Sequence, residues 1–398
     1  MVLAKPRCGI TLLEVLVVIG VLAILLMVLI PAVQHAREAA RRAECGNHMR
    51  QLAVSMQQFA TANRDTFPNS GTFLGVSTTG SSGRLDQYLS WGNGMRNWVV
   101  DVLPYMENEK VAERWQFDRT FDDTLPSPND AEWSNRSLGQ NKISLLVCPN
   151  AHSVYPEARL TYAVNGGFNT WWGCPMTGLM YPDVLGKGMD YDGNGQVVSY
   201  CDDMRPETQG DRNAARALGL LWPGSTSGNT SQDVRRTIQS ISDGTANTIM
   251  IAENIHAAHG EYFGFWLDLV HGRSWANPDP NVAAFHVSDK ICPGGDCRRI
   301  DWSKANSPNT TTNRYKLPQN INGVREDLRR LSPVPQFGWP FPSSMHPTGL
   351  NVAMCDGSVR FLANTVDGEV YAKLVTPAAS RLNPTWPVFQ SPLQEDDF

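Results

Sequence analysis

The stretch from Ile10 to Ile30, ITLLEVLVVIGVLAILLMVLI, decides the architecture. Eighteen of its 21 residues are apolar, and at a rise of ~1.5 Å per residue it reaches about 31 Å as a helix, enough to cross a bilayer once. No other stretch of the chain approaches the apolar run that a second crossing needs. A secretory signal peptide has a shorter apolar core, of about 7 to 15 residues, and no small-residue cleavage pattern follows this one, so the span is expected to stay in the protein. Glu14 interrupts the run at its fifth position. A carboxylate costs about 2.5–3.5 kcal/mol at mid-bilayer and less toward the edge, so Glu14 either snorkels to the headgroups or serves a function.

Outside this span the composition is ordinary. The 398 residues are 41% hydrophobic and 18% charged, with a formal net charge of −5 and a pI near 5.9. Too few charges for a disordered chain, a mean hydropathy of −0.30, and an acidic balance together exclude a long disordered protein, a polytopic membrane protein and a basic nucleic-acid-binding footprint. After Pro31 the pattern is helical to about residue 62. Ala36, Ala40, Ala43, Met49, Leu52, Ala53, Met56 and Phe59 recur at three- to four-residue spacing, while Arg37, Glu38, Arg41, Arg42 and Glu44 read as a solvated face of alternating sign. This is a stalk continuing the membrane helix, with the Met49–Phe59 stripe against a globular domain. Residues 69–83, rich in Ser, Thr and Gly, read as a surface loop. A short helical pattern spans Trp98 to Asn108, and short strands separated by Gly, Pro, Asn and Asp follow.

Two Asp-Gly pairs give the clearest strand signals. Asn351–Cys355 and Ser358–Leu362 flank Asp356-Gly357, which reads as a type I′ hairpin, and Asp243-Gly244 is flanked less cleanly by Ser240–Ser242 and Thr245–Ala252. His346 and Asp356 invite a general-base reading. Turn geometry already accounts for Asp356, however, and a hydrogen bond fastening a loop to the hairpin accounts for His346. With no G-x-S-x-G, H-E-x-x-H or P-loop motif, the chain is expected not to be an enzyme. Asp190, Asp192, Asn194 and Gln196 occupy ligand positions 1, 3, 5 and 7 of a calcium loop, with Gly195 at the sharp turn. Position 12 is Cys201 rather than Glu, so Asp202 or Asp203 must substitute from a longer loop. Ca2+ is the expected ion, and a metal-free Asn/Asp/Gly turn is the alternative.

Lys5 and Arg7 precede Cys8-Gly9, and Ile10-Thr11-Leu12-Leu13-Glu14 follows. This resembles the cleavage and methylation signal of type IV prepilins and pseudopilins. The resemblance implies cleavage after Gly9 by a prepilin peptidase/methyltransferase, N-methylation of Ile10, an assembly role for Glu14, and a helix kink or melting point at Pro31. The departures are Ile rather than Phe at the first mature position and Cys before Gly9. Cleavage removes Lys5 and Arg7 and moves the net charge from −5 to −7. The Arg residues after the span favour the opposite orientation by the positive-inside rule, but leader removal requires a cytoplasmic N-terminus. A second resemblance rests on His346, nine intervening residues and Asp356-Gly357, together with Phe67-Pro68, Pro104-Tyr105, Cys148-Pro149, Tyr162–Gly166 and Asp243–Thr248. These pieces are similar to a large bacterial family of prepilin-like proteins whose main domain has no assigned function.

In an exoplasmic domain the cysteines are expected as disulfides. Cys292 and Cys297 bracket a Pro-Gly-Gly-Asp turn and are expected to close a small disulfide loop, a zinc pair being the alternative that lacks a second pair at matching spacing. Cys148, Cys174, Cys201 and Cys355 allow two further bridges in three connectivities, and Cys45 is left over. The expected architecture is therefore a leader (1–9), a membrane or filament-core helix (10–30), an amphipathic stalk helix (31–62) and an exoplasmic α+β domain built on antiparallel sheet (63–398). The expected role is a structural subunit of a type II secretion pseudopilus or type IV pilus-like filament. It would be held in the inner membrane with its main domain periplasmic or at the cell surface, and would associate with itself, with other pseudopilins and with inner-membrane assembly machinery. A membrane-anchored binding module that does not polymerise is the alternative.

Overall fold

A computed structural model describes residues 12–74, 94–126, 132–152, 159–169, 192–194, 213–214, 217–222, 224–226, 236–255, 257, 274–278, 283–288, 302, 305 and 342–394. Helix α1 runs unbroken from Leu12 to Ala62, about 76 Å at the helical rise. Pro31 lies inside it without ending it, so the helix does not melt there. Through Glu44 the side chains of α1 are exposed except for the half-buried Glu38. From there Cys45, Met49, Leu52, Ala53, Met56 and Ala60 form one buried stripe, the apolar face that a helix needs to dock on a domain. Ala36, Ala40 and Ala43 belong to the stripe by spacing but are exposed. Phe59 is half-buried and meets Tyr105 edge-on at 6.1 Å. Among the described residues α1 is the one helix long and apolar enough to cross a membrane, which fits a single-pass anchor.

The domain is α+β. Strands β1 (Gly71–Phe73), β2 (Gly94–Asn97) and β4 (Gly224–Ser225) form one sheet in the order β2-β1-β4. Strands β3 (Tyr162–Asn169), β5 (Ile249–Glu253), β6 (Ala284–Ser288), β7 (Gly349–Met354) and β8 (Val359–Ala363) form a second, in the order β6-β3-β5-β7-β8. The sheets are mixed, since β1–β4 and β3–β6 pair in parallel and the other pairs are antiparallel. In β7 the side chains alternate as a pleat requires. Leu350, Val352 and Met354 join a core with the Gly368–Val375 helix, while Ala353 and Cys355 join the core beneath α1. Gly46 of α1 lies against Asn351 and Val359. Arg42 stacks over the Phe361 ring at 4.4 Å, and Gln57 donates to the Cys355 carbonyl. The stalk thus lies across the β7–β8 hairpin.

Three expectations need correction here. The Asp356-Gly357 hairpin forms, but not as type I′. Gly357 has φ +84° and Asp356 is not in the left-handed region. Gly357 N donates to Met354 O, and Met354 N donates to Ser358 O, which makes a type I turn closed by a glycine bulge. Asp356 Oδ1 accepts from Ser358 N and Oγ at 2.8 and 2.6 Å, an Asx turn that holds the right-handed conformation. Asp243-Gly244 is no hairpin, because a 3-10 turn (Ile238–Ser240) precedes it. Asp243 instead accepts from Ala379 N at 2.9 Å and from Ser380 Oγ, pinning the chain after the last helix. Finally, Asn69–Phe73 of the supposed 69–83 loop are buried and carry strand β1.

Candidate functional site

Where α1 enters the domain, four segments bring reactive side chains together. Glu38 and Cys45 lie two turns apart on α1, and Cys148 immediately precedes the short helix Pro149–His152. Glu253 is the last residue of β5. His346 sits in the segment before β7, which a bridge between Asn254 and Ser343 holds against β5. Ser343 N donates to Glu253 O at 2.8 Å, and His346 N donates to Ser344 Oγ at 3.1 Å. These contacts fix the imidazole under the stalk.

Its geometry is specific. His346 Nδ1 lies 2.7 Å from Glu38 Oε1, and Nε2 lies 3.6 Å from Glu253 Oε1 and 4.0 Å from Cys148 Sγ. His346 and Glu253 are each 1% exposed, while the Glu38 side chain keeps 32%. Asn150 Nδ2 donates toward both Glu38 oxygens at 3.4 Å. Glu253 accepts from Asn351 N and Nδ2 at 3.0 Å each, so its carboxylate is held from two directions. Tyr162, opposite Glu253 in the β3–β5 register, has its phenol raised well above the ordinary value by burial, then by Glu253 and Glu44. Burial, the largest single influence on His346, opposes charging the ring, but Glu253 and Glu38 together outweigh it and its pKa rises above 6.5.

The sulfurs of Cys45 and Cys148 are joined, with Cα atoms 5.0 Å apart and a sequence separation of 103 residues. This corrects the cysteine expectations. Cys45 is not left over, because the helical stripe places it facing Cys148. Cys355, expected in a bridge, is a buried free thiol whose pKa burial pushes up. The ligand atoms of Cys45, Cys148, Glu253 and His346 all lie within 4.8 Å of one another. His346 also departs from expectation. Its side-chain polar contacts go to Glu38 on the stalk, to Glu253 at the end of β5 and to Cys148 and Asn150, and its contact with the hairpin is an edge-on approach to the Phe361 ring at 6.5 Å.

A positively charged His346 contributes stability fully at pH below 6.5, the unfolded value, and that contribution is lost as pH rises through the higher folded value. The oxidised protein is therefore expected to lose unfolding free energy as pH rises above about 6.5, at no more than ~1.4 kcal/mol per pH unit for one proton. Urea unfolding of wild type and His346→Gln across pH 6–9 checks this, and an unchanged slope in the variant contradicts it.

A family profile described as a protein of unknown function (DUF1559) matches residues 34–369. The chain belongs to the DUF1559 family. A second profile, the prokaryotic N-terminal methylation motif, matches residues 4–30, and no curated protein and no solved structure matches the chain. The DUF1559 match begins inside α1 and takes in Glu38, Cys45, Cys148, Glu253 and His346, so the cluster lies within the family's region. The methylation motif makes the protein prepilin-like and implies processing by a prepilin peptidase.

Of the other expected site residues, Gly9 and Ile10 lie outside the described residues, as do Asp190, Gln196, Cys174, Cys201, Cys292 and Cys297. From the calcium loop only 192–194 is described. There Asn194 N donates to Asp192 Oδ1 at 3.1 Å and Gly193 has φ +75°. Glu14 is on the exposed first turn of α1. The sequence reading missed Glu38, Glu253, Asn150 and Asn351. Glu253 carried a signal, a carboxylate closing the apolar run Ile249–Ala252. Glu38 carried none, since it sits in a run of alternating charges.

Proposed function

We propose that this DUF1559 protein is a structural subunit, cleaved after Gly9 and N-methylated at Ile10, of a type II secretion pseudopilus or type IV pilus-like filament. The observation that carries the reading is the joining of a methylation motif to a helix whose residues 12–37 lie ahead of the Glu38–His346 contact with their apolar side chains exposed. Such a surface needs lipid or neighbouring helices to cover it. On this reading the inner membrane holds the helix before assembly, with its N-terminus in the cytoplasm, and equivalent helices cover it in the filament. Glu14 then pairs with the terminal ammonium of Ile10 on a neighbouring subunit, since paired charges in an apolar core cost far less than either alone. The domain's role is non-catalytic.

Glu14→Ala and Glu14→Leu are expected to be cleaved normally and to enter sheared surface filaments at a tenth of the wild-type level or less. Immunoblots of sheared fractions, with intact-mass measurement of the N-terminus, check this. Incorporation at wild-type levels would remove the pairing. A second reading, an anchored binding module, is favoured by an open cleft of about 590 Å3 at the C-terminal end of α1, lined by Phe59, Arg64, Phe67, Thr72 and Arg96 among others. Electron microscopy of sheared surfaces separates the two, because the module forms no filament.

A further inference from the structure

The Cys45–Cys148 disulfide occupies a setting richer than a cross-link needs. Beside its sulfurs lie a buried imidazole and a buried carboxylate, each held by its own partners. His346 presents Nε2 to Cys148 and Glu253, while Nδ1 is engaged by the Glu38 carboxylate at 2.7 Å. That is the carboxylate–histidine arrangement that fixes the tautomer of a metal-binding imidazole, with Nδ1–H donated outward and the Nε2 lone pair directed inward. Glu253 is likewise braced by two bonds from Asn351, as ligating carboxylates are.

We propose that Cys45, Cys148, His346 and Glu253 form a zinc site in the reduced chain, of which the Cys45–Cys148 disulfide is the oxidised, metal-free counterpart. Two thiolates, one imidazole and one carboxylate suit borderline-soft, four-coordinate Zn2+ better than Ca2+ or Mg2+, which take all-oxygen shells. With Zn–S near 2.3 Å and Zn–N and Zn–O near 2.0–2.2 Å, a tetrahedron sets its ligand atoms about 3.3–3.8 Å apart. The 3.6 and 4.0 Å separations around Nε2 are already close to that. The large adjustment is between the two sulfurs, which move from bonded to non-bonded distance. All four ligands come from the protein, so the site is closed and structural. In either state it fastens α1 to the sheet.

The states differ by two electrons. A dithiol reductant breaks the S–S bond, leaving two thiols and becoming a disulfide itself. Zn2+ then binds both sulfurs as thiolates, and the two thiol protons pass to solvent, with the Nε2 proton where the ring is charged. A disulfide oxidant accepts the electrons in reverse and, taking up two protons, becomes a dithiol. The Cys45–Cys148 bond re-forms and Zn2+ leaves.

The test uses the full chain in detergent micelles, reduced anaerobically, freed of reductant and titrated with Co2+ and then Zn2+. The expected result is one equivalent of Co2+ with thiolate charge-transfer and tetrahedral ligand-field bands, displaced by Zn2+ and absent from the oxidised protein. Zn2+ should also raise the melting temperature of the reduced chain, or restore its circular dichroism if reduction alone unfolds it. The double variant Cys45→Ser/Cys148→Ser should abolish the charge-transfer band, and His346→Gln and Glu253→Gln should each weaken binding at least tenfold. Glu38→Gln, which touches only the far side of the imidazole, should weaken it about 10–100-fold. A reduced wild type that neither shows the band nor responds to Zn2+ overturns the site. So does a band that survives the double variant Cys45→Ser/Cys148→Ser, which would belong to cysteines outside the site, or binding indifferent to both His346→Gln and Glu253→Gln.

Discussion

Cys148→Ala is expected to lower the unfolding free energy of the oxidised, metal-free protein by about 3–5 kcal/mol. The bond joins residues 103 apart, and chain-entropy arguments assign about 4.7 kcal/mol to a closed loop of roughly 100 residues, with measured losses of native disulfides near 2–5 kcal/mol. The lower end is set by whatever strain the native bond carries and by residual structure in the unfolded chain. Cys45→Ala should cost the same within error, and the double variant no more than either single one, because each removes the same bond. Guanidinium unfolding of the three variants and of wild type provides the comparison. A loss under about 1 kcal/mol, or additive losses, would show that the two sulfurs are not bonded in the folded protein. Because Cys45 heads the buried stripe of α1, its release should appear first as faster amide exchange at Met49 and Leu52, before the sheet opens.

Glu253→Ala is expected to cost a comparable 3–5 kcal/mol in the oxidised protein, the range found when one partner of a buried ion pair is removed. Two effects combine. Asn351 N and Nδ2 lose their acceptor inside the sheet, and unmet buried donors cost about 1–3 kcal/mol. His346 also loses the counter-charge beside Nε2 and keeps only the partly exposed Glu38. Glu253→Gln retains an acceptor for Asn351 but no charge, so it should cost less, roughly 1–2 kcal/mol. The decisive measurement is a double-mutant cycle with His346→Gln, in which coupling above about 1 kcal/mol is expected for residues in one network. Strict additivity would refute the pairing.

The same residues show why the site was only partly legible in sequence. His346 stood out through its spacing to Asp356-Gly357, yet the two serve different ends. Asp356 closes its own turn, while His346 faces the stalk some 300 residues earlier in the chain. A motif records that residues recur together in one stretch and says nothing about which distant side chain each will meet. Cys45 reads as unpaired because in sequence it belongs to the stalk, whereas the helix carries it into the domain. Glu38 and Arg37 look alike in a helical wheel of alternating charge. Only the position at which α1 leaves the sheet turns Glu38 toward an imidazole and leaves Arg37 in water.

The amino-acid sequence by itself determined the features that rest on local periodicity and composition. These are the 21-residue apolar run, its continuation as an amphipathic helix, the β7–β8 hairpin about Asp356-Gly357 and the α+β class. Each follows from spacing within a few residues, where backbone sterics and apolar patterning act alone. The tertiary structure decided which charges are buried, which cysteines meet and what His346 holds. Those outcomes depend on loop closure across more than 100 residues, and on where α1 crosses the β7–β8 hairpin, which no local pattern encodes.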